Sequence, residues 1–177
     1  MAGEKDGAYT GDNPQDEQRS APTGDDSAHH GHAQDRPFRF HHPGSPGRQG
    51  FTDLAGKRFD TGQLKGKSVV LYFWTDACGC TEQLIALRPF IAGLKDKPFA
   101  FVTINEGQGK AVAERFIRNN RLPYQALLDD DLSIGRKSFG IKVLPTIFII
   151  GGDGILKEKL IGVVDNKRLE AFISRNL

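Results

Sequence analysis

Both cysteines of this 177-residue chain fall in FWTDACGCTEQL, at positions 78 and 80, with one glycine between them. Thiols so placed suit three kinds of chemistry. They can open and close as a disulfide, hold a soft metal such as Cu(I) between two thiolates, or sit in a core as small apolar groups. The thiolate is the nucleophile in disulfide exchange. An apolar run ends just before Cys78 and helical spacing begins there, which places its sulfur at a helix N-terminus, where backbone N–H groups and the helix dipole favour an anion. Cys78 is therefore the expected first attacker. Asp76 either opposes that anion by like charge or caps the helix.

Cys80 raises a geometric question. In a regular helix, side chains two apart point about 200° from each other, whereas a disulfide wants its Cβ atoms roughly 3.5–4.5 Å apart. Gly79 relaxes the backbone between them. A 78–80 bond is expected to close under strain and to reduce easily. That suits an oxidant or isomerase better than a strong reductant.

The elements that must hold these residues are legible on either side. SVVLYFW (68–74) is a continuous apolar run suited to a strand buried on both faces. From Cys78 onward, Leu84, Leu87, Ile91 and Leu94 follow helical spacing, with Ile85 and Phe90 widening the stripe and Pro89 kinking it. FAFVTIN (99–105) reads as a second buried strand, KAVAERFIRNN (110–120) as a helix, LPYQALLDDD as extended, and LSIGRKSFG as a short helix closed by Gly140. TIFIIGGDGILKEKLIG gives two strands around a glycine turn, and a helix carrying Leu169, Phe172 and Ile173 closes the chain. FTDLAGKRFD (51–60) reads as a strand, a turn and a returning strand. The order predicts a mixed sheet of four or five strands with helices on both faces.

Residues 1–50 differ in kind. They hold all five histidines, eight glycines and five prolines, and their eight acidic and five basic residues leave them near −3 while 51–177 stand near +5. Such a segment cannot bury enough apolar surface to offset its chain entropy and is expected to be disordered. The division is a hydrophilic tail at 1–50 and one domain at 51–177. His29, His30, His32, His41 and His42 could bind a transition metal. No basic cluster with interleaved aromatics points to nucleic acid. No run of about 18 apolar residues spans a membrane, and the N-terminus lacks a signal-peptide core. As written the chain reads as cytoplasmic. A mature or truncated form of a periplasmic protein would look the same.

KGKSVVLYFWTDAC followed by KVLPTIFIIGGDGILKEKLIG resembles the thioredoxin superfamily, and within it the TlpA/ResA-like (redoxin) branch. The likeness covers about residues 51–177. Its anchors are the Phe73-Trp74 pair four residues before the first cysteine, Leu144-Pro145-Thr146, the GGDG turn at 151–154, and LLDDD at 127–131. It implies a thioredoxin-like three-layer α/β fold around a central mixed sheet. It also implies a cis-proline at Pro145 that exposes the backbone of Leu144 to an extended substrate segment, and a Trp74 serving as both core and site wall. The function implied is thiol–disulfide exchange on protein substrates by a monomer that needs no cofactor. Cys78 attacks and Cys80 resolves the mixed disulfide, with an unidentified redox partner completing the cycle. Two departures stand out. The branch's usual Cys-x-x-Cys is here Cys-x-Cys, with Thr81 where the second cysteine would be, and Leu84 occupies a position that often carries glutamate.

Other readings of the same residues stay open at this level. Peroxiredoxins place Thr three residues before their peroxidatic cysteine, as Thr75 stands to Cys78, though Leu71 replaces the proline that opens their motif. Sco-like copper chaperones share the fold but use a wider cysteine spacing and a histidine, and residues 51–177 contain no histidine. A non-catalytic binding module of redoxin fold is the alternative outside enzymology.

Overall fold

In the computed structural model, residues 50–177 are described. The expected tail and its histidines lie outside them. Six strands form one sheet in the order β1-β4-β3-β2-β5-β6. They are β1 (Thr52–Asp53), β2 (Ser68–Trp74), β3 (Phe99–Glu106), β4 (Gln125–Asp129), β5 (Thr146–Ile150) and β6 (Leu156–Ile161). β2, β3 and β4 run parallel, while β1, β5 and β6 pair antiparallel to their neighbours. The sheet is therefore mixed, as expected, but larger than the four or five strands foreseen. The first hairpin shrinks to a two-residue β1 and a single bridge between Thr52 and Arg58. The Asp53 carboxylate accepts hydrogen bonds from the backbone amides of Ala55 and Lys57 and tightens the turn.

β2 occupies the middle of the sheet because every one of its seven residues can be buried. Its side chains alternate between two cores. Val70, Tyr72 and Trp74 face a layer built with Leu84, Leu87, Ile91, Ala113, Leu169 and Ile173. Val69, Leu71 and Phe73 face the other layer, with Val102, Ile104, Ile134, Ile141 and Phe148. The first layer is supplied by α1 (Cys80–Ala86), α2 (Arg88–Ala92), α3 (Lys110–Asn119) and α5 (Asn166–Ser174), and the second by α4 (Ser133–Ser138) and the segments around it. β6, whose residues alternate between half-buried and exposed, closes one edge of the sheet.

The helix foreseen from Cys78 is divided. α1 ends at Leu87, and Pro89 sits in the first turn of α2. A proline there loses no helical hydrogen bond, since the first-turn N–H groups are unpaired in any helix. α5 starts at Asp165, whose carboxylate accepts the amide of Arg168 at 3.0 Å. Among the described residues, no helix is long and apolar enough to cross a membrane.

Candidate active site

β2 delivers the chain to Trp74, and residues 75–79 turn away from the sheet before α1 begins at Cys80. The sulfurs of Cys78 and Cys80 are bonded to each other. Their Cα atoms lie 5.2 Å apart, inside the 4.4–6.8 Å that disulfides usually span. The opposed directions expected of a regular helix do not arise, because Cys78 is not in the helix. Gly79 is the N-cap, and the chain is still turning at Cys78. The two sulfurs differ sharply in access. Cys78 is half-buried, whereas Cys80 is 0% exposed and packs in the core with Leu84 and Leu87.

Asp76 does not cap the helix. α1 has no side-chain cap, and the Asp76 carboxylate instead accepts from Nε2 of Gln108. The backbone amide of Asp76 donates to Oε1 of the same Gln108 at 2.8 Å. Nδ2 of buried Asn105 donates to that oxygen as well, at 3.0 Å. The Thr75 carbonyl oxygen lies 3.2 Å from the Cys78 sulfur and 3.4 Å from that of Cys80. Thr75 thus meets both sulfurs through its backbone.

The buried sulfur is held from behind by α1. Gln83, 4% exposed, accepts from the Tyr72 hydroxyl at 2.9 Å and donates to the Val164 carbonyl at 2.6 Å and to Asn166 Oδ1 at 3.0 Å. The Tyr124 hydroxyl donates to the Leu84 carbonyl at 2.7 Å. Burial holds both tyrosines far above their ordinary pKa, so they serve only as neutral donors.

The Leu144–Pro145 peptide is cis. β5 pairs Thr146 with Phe73, so the register sets Pro145 level with the end of β2, where the cysteine loop departs. Pro145 is buried and Leu144 half-buried, and the Pro145 carbonyl accepts from Gly162 at 2.8 Å. Trp74 corrects its expected double role. It is fully buried, its ring centroid 4.6 Å from that of Phe116, and it offers no surface to a substrate. The apolar side chains exposed beside Pro145 are instead Val143 on its own loop and Ile161 and Val163 flanking Gly162.

A second polar cluster went unnoticed in the sequence. Glu106 and Asp129 end the neighbouring strands β3 and β4 and are register partners, 5% and 2% exposed. Burial first, and the Asp129 carboxylate second, push the Glu106 pKa up to about 8. Asp129 accepts the amides of Ile134 and Gly135 at 3.3 and 2.6 Å, fixing the start of α4. A Cβ at Gly135 would lie 2.6 Å from both Glu106 oxygens, which explains the glycine there. A cavity of about 490 Å³ beside Asp129, lined also by Arg58 and Asp131, includes no residue of the cysteine loop. Among the described residues, no group of three or more His, Cys, Asp or Glu is placed to hold a metal.

The AhpC/TSA family pattern matches residues 46–159, well over half of the chain and including the whole cysteine loop. The chain belongs to the AhpC/TSA family. Among curated proteins, this AhpC/TSA member is 27% identical over 125 residues to the thiol-disulfide oxidoreductase ResA of Bacillus cereus, a match spanning 70% of this chain and 72% of that one. Among solved structures, it superposes on a secreted disulfide oxidoreductase of Mycobacterium tuberculosis homologous to E. coli DsbE, with TM-score 0.63 and 22% identity, covering 71% of this chain and 93% of the other. StoA of Bacillus subtilis matches with TM-score 0.57 and 25% identity, covering 73% and 98%. These likenesses establish a thioredoxin-like α/β fold, and the named relatives favour disulfide exchange over the peroxidase, copper and binding-module readings.

Proposed function

We propose that residues 51–177 exchange disulfides with protein substrates, with Cys78 as the sulfur that meets the substrate and Cys80 as the one that resolves. The observation that carries this reading is the bonded pair in which Cys78 is only half-buried and Cys80 has none of its surface exposed. A bulky disulfide can reach Cys78 but not Cys80. The buried sulfur is left a single intramolecular partner, its neighbour two residues away.

Starting from the dithiol, the Cys78 thiolate bonds to one sulfur of the substrate disulfide. The other substrate sulfur leaves as a thiolate and takes up a proton. Cys80 then loses its proton and attacks the Cys78 sulfur. The 78–80 bond closes and the mixed disulfide breaks, releasing the second substrate thiol. The centre has given up two electrons and two protons, and the substrate has gained both. Read backwards, the same steps oxidise a dithiol substrate.

Leu144 and Pro145 contribute backbone beside the exchanging sulfurs in this scheme, and Thr75 contributes its carbonyl. The protein acts as a monomer and is recharged by a separate redox partner. The secreted relative from M. tuberculosis supports work outside the cytoplasm, where disulfides persist. Insulin reduction tests the assignment. Cys78→Ser abolishes turnover, and Cys80→Ser accumulates mixed disulfides that mass spectrometry detects. Equal turnover by both variants and the parent protein would refute it.

A further inference from the structure

The Thr75–Asp76 peptide has its two ends on different partners. Its N–H is held by Gln108 Oε1 at 2.8 Å, and its C=O points at both sulfurs, at 3.2 and 3.4 Å. A trans peptide is planar, with N–H and C=O on opposite sides. Fixing one end therefore aims the other. From this we infer that Gln108 is a positioning residue of the redox centre, which turns the Thr75 carbonyl onto the sulfurs and thereby sets the acidity of Cys78 in the reduced protein.

Gln108 is built for the task. It sits between Gly107 and Gly109, whose φ angles of 70° and 78° lie in the left-handed region that favours glycine, so the loop projects this one side chain between two sharp bends. A Cβ at Gly107 would also come within 2.9 Å of Leu132. The amide is then fixed from two more directions. Asn105, 1% exposed at the end of β3, donates to its oxygen, and the Asp76 carboxylate accepts from its nitrogen. The clamp joins β3 to the cysteine loop without touching either sulfur.

The chemical consequence follows from what a carbonyl can do. Its oxygen accepts a hydrogen bond from a thiol but offers nothing to a thiolate except repulsion. A hydrogen bond to the neutral form disfavours the charged one. With the peptide locked, Cys78 keeps its proton to a higher pH than the free loop would allow. The same oxygen penalises the thiolate and not the disulfide, so the clamp withholds the thiolate stabilisation that makes a dithiol centre a strong oxidant.

This inference rests on the exchange reading only for its significance to the reaction. Its test is the pH profile of Cys78 alkylation by iodoacetamide in the reduced protein, read by peptide mass spectrometry. Gln108→Met removes the amide at similar length. It is expected to lower the pH midpoint by about one unit, a tenfold gain in acidity, with the circular dichroism spectrum unchanged. Asp76→Ala keeps the backbone donor to Gln108 and should shift the midpoint by less than Gln108→Met does. An unmoved midpoint in Gln108→Met overturns the inference, and so does an equal or larger shift in Asp76→Ala, which would make the carboxylate's charge the cause. Should Gln108→Met fail to fold, the parent protein decides. The Asp76 amide proton then has to exchange at least about tenfold more slowly than in an unstructured peptide, and an unprotected amide refutes the clamp. Alkylation needs no substrate. An inert parent protein in the insulin assay and an unmoved midpoint are therefore separate failures.

Discussion

Gln83 offers the sharpest test of how α1 is held against the sheet. Its side-chain amide accepts from the Tyr72 hydroxyl and donates to the Val164 carbonyl and to Asn166, all from a residue 4% exposed. Gln83→Leu preserves most of the volume but strands the buried Tyr72 hydroxyl and takes the donor from the half-buried Val164 carbonyl. The Cys80 carbonyl, 3.5 Å from the Tyr72 oxygen, is too distant to compensate fully. A buried polar group left without a partner costs about 1–3 kcal/mol and the half-buried carbonyl adds less, so the variant should lose about 2–4 kcal/mol. That is a large part of the ~5–15 kcal/mol that ordinarily separates folded from unfolded chains. Tyr72→Phe alone should cost about 1–3 kcal/mol, since it leaves Gln83 Oε1 buried without its donor while Nε2 keeps both acceptors. The double variant is the decisive one. Removing the hydroxyl along with the amide strands neither end of that bond, so its loss should fall short of the sum of the two by at least about 2 kcal/mol. Urea unfolding of the oxidised protein measures all three, with equal m values required for the comparison. Additivity to within about 0.5 kcal/mol would show that the Tyr72–Gln83 bond is not a working contact.

Glu106→Gln tests the buried acid pair. Burial first, and then the Asp129 carboxylate, keep the proton on Glu106 up to about pH 8 in the fold against 4.5 ordinarily, with Arg136 opposing them. The contribution of Glu106 to stability is therefore complete below pH 4.5 and is lost as the pH rises through about 8. The glutamine carries a permanent donor, so the stability of the variant should fall less across that window in urea titrations at pH 5, 7 and 9. An unchanged slope would refute the assignment. Asp165→Ala removes the cap of α5 and should cost about 1 kcal/mol by the same assay, with no effect on Cys78 alkylation.

The fold was legible where burial alone decides structure. β2 and β3 needed no more than their unbroken apolar runs, and α3, α5 and the β5–β6 hairpin followed from helical spacing and turn glycines. Pattern failed where a tertiary partner decides. FTDLAGKRFD reads as a strand and a turn, and the strand is there at Thr52–Asp53, but nothing in it announces β4 as the partner. Trp74 was read as a wall because it ends the strand before the cysteines, yet Phe116, more than forty positions on, covers it. Gln108 and Asn105 carried a faint signal in INEGQG, where polar residues and two glycines interrupt an apolar strand. Which loop they would grip depends on the parallel pairing of β3 with β2, and that is long-range information.

The cysteine spacing shows the same division most plainly. A helix that began at Cys78 would point the two side chains about 200° apart. α1 begins two residues later, at Cys80, so that opposition does not arise. With Gly79 as the N-cap, Cys80 is the first residue fixed by α1 and Cys78 is the last free of it. The pair then straddles the boundary between a rigid helix and a turning loop. A short spacing is workable there because only one of its members is committed to helical geometry. The loop member stays accessible, and the helical member is buried with the core face of α1. The asymmetry of access that the exchange chemistry needs is thus a product of where the helix starts. Gln108 acts on the loop side of that boundary and Gln83 on the helix side, so the two halves of the centre are positioned by independent contacts and can be perturbed one at a time.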